Sequence, residues 1–122
     1  MSTSLYYKAE FEHPLSANAK NLAVKILAVA NQHELAKLAC KKGGEGISFY
    51  PINSLKKIEG STKLPHHLFE EDIDDYICVF EHWTDTLAAL RLALPHALWS
   101  VQLDADELLF NAVKGQYEVP AK

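Results

Sequence analysis

At 122 residues, 48% hydrophobic and 23% charged, the chain has the size of one domain and a globular composition, which excludes a disordered or fibrous protein. No apolar run approaches the length of a membrane span, and two cysteines, Cys40 and Cys78, are too few for a disulfide scaffold. The net charge of −4 conceals an asymmetry: residues 1–64 hold nine Lys against five Glu, whereas residues 65–122 hold three basic residues against eleven acids.

A single domain over residues 1–122 is therefore expected. Its first residues, Met1 to Lys8, lack the basic and apolar regions of a secretory signal, which predicts a cytoplasmic product. In that reducing compartment Cys40 and Cys78, each inside an apolar stretch, read as small buried hydrophobes.

Leu5, Tyr7, Ala9 and Phe11 alternate with Tyr6, Lys8, Glu10 and Glu12, the period of a half-buried strand over 5–12. His13-Pro14 ends it. Ser16 is placed to cap a helix over 16–30, with Leu22, Ala23, Ile26, Leu27 and Ala30 on one stripe. Asn31 to Glu34 has capping-box spacing, so a second helix or a kinked continuation runs on through Leu35, Leu38 and Ala39. Gly43-Gly44 ends it.

Ile47 to Tyr50 predicts a short strand at an edge, limited by Pro51. From Ile52 to Leu68 the text reads as a loop anchored by Leu55 and Ile58. Tyr76 to Phe80 is apolar without alternation, which predicts a central strand covered on both faces. A helix capped by Thr84 or Asp85, apolar over Leu87–Leu94, follows, and Leu98 to Leu103 alternates as a strand. Residues 76–103 thus form an expected strand-helix-strand unit, parallel in its commonest version. Asp104 to Glu107 has the spacing to cap a helix running to Val113, and Gln116 to Val119 reads as a terminal strand. The fold class is α+β or α/β, with three to five short strands in one sheet and three or four helices on it.

Chemistry-bearing motifs are sparse. His66-His67 precedes Glu70, Glu71 and Asp72, and a helical turn there would set His66 and Glu70 on one face. Without a His-x-x-x-His pair or Cys ligands the segment reads as a solvated loop, and neither metal nor cofactor is expected. Neither thiol has a base in local reach, since His33 and Cys40 lie about 10 Å apart along a helix. A small enzyme would need a site assembled from distant residues such as His13, Cys40, His82 or Arg91. Gly43-Gly44-Glu45-Gly46 follows a helix and lacks the Gly-Lys-Ser/Thr ending of a phosphate loop. Arg91, the only charge in Leu87–Leu94, reads as a snorkelling side chain or a partner of Glu81 or Asp85.

Two surfaces suggest partners. Lys37, Lys41, Lys42, Lys56, Lys57 and Lys63, with Phe49 and Tyr50 between them, outline a nucleic-acid surface, against which stand a pI near 5.8 and a single Arg. The run Glu70, Glu71, Asp72, Asp74 and Asp75, followed by Tyr76 and Trp83, outlines the opposite: an acidic, aromatic surface for a basic protein. The leading expectation is a non-enzymatic, immunity- or antitoxin-type inhibitor that neutralises a basic toxin, for instance a nuclease, with no membrane attachment. A lysine-half nucleic-acid module and a small enzyme are the alternatives.

Overall fold

The computed structural model describes residues 3–50 and 56–119. The first strand, β1 (Ser4–Phe11), lies between β2 (Lys57–Lys63) and β3 (Ala97–Leu103), and the two-residue β4 (Asp106–Glu107) pairs with the end of β3. Every pairing is antiparallel. Because side chains alternate along a strand, the register collects Leu5, Tyr7 and Ala9 with Ile58, Gly60, Thr62, Trp99, Val101 and Leu103 on one face. The opposite face sets Lys8 across from Glu59 and Glu10 across from Lys57, pairs of opposite charge suited to solvent.

Four helices, α1 (Ala17–Gln32), α2 (Glu34–Lys41), α3 (His66–Glu71) and α4 (Ile73–Ala93), share one apolar cluster with the first sheet face. The longest, α4, packs against the other three and buries Val79, Trp83, Leu87 and Leu90. Those positions recur every three or four residues, so they fall on one stripe of a helix. A second sheet, the hairpin of β5 (Leu109–Asn111) and β6 (Gln116–Glu118), packs its later strand on α4.

The expected strand at the start and helix after it are present, and Ser16 Oγ accepts from Ala19 N–H at 3.1 Å as an N-cap should. The second helix is separate from the first, but its cap is His33, whose Nδ1 accepts from Leu35 N–H. Asn31 does something else: its side chain donates to the Ile47 carbonyl and accepts from the Ile47 N–H, both at 2.8 Å. It thereby substitutes for a strand partner. Gly43, at φ 90°, supplies the left-handed residue that ends α2.

Residues 47–50, expected as a strand, instead form an irregular extended segment beside β2. Tyr50 N–H reaches the Glu59 carbonyl at 2.7 Å, and the rest of the segment is held by side chains. The Tyr7 hydroxyl lies 2.5 Å from the Ser48 carbonyl oxygen and 2.9 Å from Thr62 Oγ1, and accepts from Ser48 N–H at 3.2 Å. Gly60 makes this approach possible, because a Cβ there would sit 2.3 Å from the Ser48 carbonyl oxygen. Of the loop expected over 52–68, residues 57–63 are β2 and 66–68 begin α3, with 56, 64 and 65 in neither; Leu55 lies outside the described residues, and Ile58 is the buried anchor expected.

The expected strand over 76–80 is helical. Tyr76 to Phe80 belongs to α4, which begins at Ile73 and runs without a new cap through the segment assigned to Thr84 or Asp85. No strand-helix-strand unit over 76–103 exists; α4 leads directly into β3, whose alternation is as expected. Residues 104–113 form no helix either. Asp104, at φ 52°, turns the chain from β3 into β4, and β5 follows. The fold class is α+β.

Candidate functional site

The acidic run is largely helix-start chemistry. Asp72 is the N-cap of α4, its Oδ1 accepting from Asp75 N–H at 3.2 Å, and Asp74 and Asp75 lie in the first turn, where the helix dipole favours negative charge. Glu71 is committed to Lys42, Oε2 to Nζ at 2.7 Å, and that hydrogen bond and the ammonium charge hold its carboxyl below the ordinary glutamate value. Among the described residues Glu70, Asp74 and Asp75 make no salt bridge. The charges left for a partner are therefore fewer than the run suggests.

Tyr76 follows within the first turns of α4 and is half-buried, its ring edge-on to Phe69 at 5.2 Å. Burial raises its pKa above the usual 10.0, and the charge of Asp104 pushes the same way. Leu103, the last residue of β3, lines one cleft together with Tyr76, and the exposed Asp104 follows it in the chain. Asp104 therefore adds one carboxylate near the acidic run in space. Trp83 is not part of it: the ring is 0% exposed in the core, so no partner can touch it.

A cleft of about 540 Å³ lies between α4 and the C-terminal hairpin. Tyr76, Phe80 and Tyr117 give it aromatic surface, while Glu81 and Asp85, four residues apart on the exposed side of α4, bring carboxylates to it. Among the described residues that line it there is no Lys, Arg or His. Arg91 pairs with neither acid; its guanidinium rests 4.1 Å from the centre of the Phe110 ring, which itself packs on Tyr117 at 5.1 Å. Burial raises the Tyr117 pKa, and the nearby guanidinium opposes the rise. Sequence reasoning missed this cleft because it treated Tyr76–Phe80 as a strand; on a helix Ile77, Glu81 and Asp85 share one side.

The other candidate chemistries do not assemble. The segment of His66 and Glu70 is helical, and the two histidine rings lie 4.1 Å apart, yet among the described residues no three His, Cys, Asp or Glu side chains are placed to hold a metal ion. Both cysteines are exposed, contrary to expectation, because the outer sides of α2 and α4 carry them. His82 stacks on His33 at 4.5 Å and donates from Nε2 to the Ala30 carbonyl at 3.0 Å. Among the described residues no hydrogen bond or ring contact joins any two of His13, Cys40, His82 and Arg91. The lysines are divided as well: Lys37 and Lys41 are on α2, Lys42 is tied to Glu71, and Lys57 pairs with Glu59 at 3.7 Å on the sheet. Phe49 is half-buried edge-on to Tyr7, leaving only Tyr50 well exposed between the lysines.

No family model, no curated protein and no solved structure matches the chain.

Proposed function

We propose that the chain is a non-catalytic protein-binding module whose partner is a basic protein, in the manner of an immunity protein or antitoxin that neutralises a basic toxin. The supporting observation is the cleft beside α4, where Glu81 and Asp85 meet aromatic walls and none of the described lining residues is a cation. Around it Glu70, Asp74 and Asp75 extend a field of one sign. Such a field concentrates a basic partner and orients its approach, and half-buried aromatics such as Tyr76 then slow its release.

The test is association kinetics with the partner recovered from the native host, comparing the parent with Glu70→Gln/Asp74→Asn/Asp75→Asn. These three charges make no salt bridge among the described residues, and Asp74 and Asp75 lose only their favourable interaction with the α4 dipole, so stability should fall by no more than about 1–2 kcal/mol, while association at low salt slows several-fold and loses salt dependence. Unchanged association would remove the acidic surface from the interface. Preferential recovery of RNA or DNA would transfer function to the lysine-bearing half.

A further inference from the structure

We propose that the α4–hairpin cleft is a socket for an arginine side chain of that basic partner, an assignment that rests on the reading above. The choice of arginine over any other cation follows from the chemistry of the walls. A guanidinium is planar, weakly hydrated and suited to lying on aromatic faces while its N–H fork meets carboxylates; an ammonium is a compact, strongly hydrated charge that gains less from such walls. Tyr76, Phe80 and Tyr117 supply the faces, and Glu81 and Asp85 supply acceptors one helical turn apart. At about 540 Å³ the cleft has room for the side chain with its flanking backbone.

The same hairpin already holds one guanidinium. Arg91 lies over Phe110, and Phe110 packs edge-on against Tyr117, which also lines the cleft. Arg91 thus makes no salt bridge with Glu81 or Asp85. The Tyr117 hydroxyl is buried beside the Arg91 guanidinium, so what Tyr117 offers the cleft is its ring.

The experiment is an amide NMR titration of the labelled chain with the blocked tripeptide Gly-Arg-Gly, and with versions carrying lysine or the neutral isostere citrulline. The arginine peptide should shift the amides of Phe80, Glu81, Thr84 and Tyr117 and saturate at millimolar concentration. Lysine should bind several-fold more weakly, and citrulline at least about tenfold more weakly, the weight of a charge-assisted contact. Glu81→Gln/Asp85→Asn alters only exposed groups, so its spectrum should otherwise match the parent while the titration is lost. Equal binding of the citrulline peptide, shifts confined to other elements, or no shifts at all would overturn the socket. If the peptide fails while the Glu70/Asp74/Asp75 variant still slows association, the socket falls and the protein-binding reading stands. If the peptide binds in the cleft while that variant associates unchanged, the reverse holds.

Discussion

Replacing Tyr7 with Phe should destabilise the fold by about 1–2 kcal/mol, although it removes a single oxygen. That oxygen is the point at which the extended segment around Ser48 is fastened to the sheet: it bonds both backbone groups of Ser48 and the Thr62 hydroxyl. The loss is less than three separate bonds would suggest. Ser48 is exposed, so its N–H and carbonyl can turn to water, and buried Thr62 keeps the Gly46 carbonyl at 3.3 Å. The ring itself, edge-on to Phe49 at 6.0 Å, is untouched by the change. In urea the midpoint should fall by about 1 M with an unaltered slope. Alkaline pH supplies a second readout. Burial holds the pKa values of Tyr7, Tyr76 and Tyr117 above 10.0, so the folded chain binds these protons more tightly than the unfolded one. Stability is therefore complete below about pH 10 and declines as pH rises through the folded values, and Tyr7→Phe should decline less steeply. A Tyr7→Phe midpoint within about 0.2 M of the parent would refute the fastening role.

Three further outcomes are expected. Val79→Asp places an unpaired charge at a fully buried position of α4 and should cost about 3–5 kcal/mol, read as loss of a cooperative melt or a large fall in midpoint. Asp72→Ala removes the α4 cap and should cost about 1 kcal/mol, whereas Glu70→Gln next to it should leave the melting curve in place. Cys40 and Cys78, both exposed, should each react with a thiol reagent in the absence of denaturant; a thiol that reacts only after unfolding would contradict its placement on the outer side of its helix.

The elements legible in the sequence were those whose side-chain period matched their burial. β1 and β3 alternate, and their inward residues Leu5, Tyr7, Ala9 and Val101 are buried as the alternation demands. Tyr76-Ile-Cys-Val-Phe80 misled because five apolar residues in a row fit a buried strand as well as a helix. Counting on through Val79, Trp83, Leu87 and Leu90 reveals helical spacing, and the acids ahead of it are what a helix start attracts. β2 was invisible for a different reason: its inward positions are Ile58, Gly60 and Thr62, only one of them a large hydrophobe. Tyr7 and the Ser48 segment occupy the space that larger side chains would have filled. The acidic surface was visible as composition, but the cleft was not, since it depends on how the hairpin meets α4. The Asp104 turn could not be paired with Tyr76 by spacing alone.

The central position of β1 imposes an order on biosynthesis. This strand leaves the ribosome ahead of both its neighbours in the sheet, residues 57–63 and 97–103. At about 5–20 residues per second, one of its edges stays unpaired for seconds after the other has closed. During that interval a nascent chain presents an open ladder of backbone donors and acceptors, the kind of template on which chains join one another. Lys8 and Glu10, alternating with the apolar positions, put charge along that strand while it waits. Their value to the finished protein is slight, since they face solvent and each other at 3.3 Å; their value to the unfinished one is to keep β1 from pairing with the wrong chain before β3 arrives.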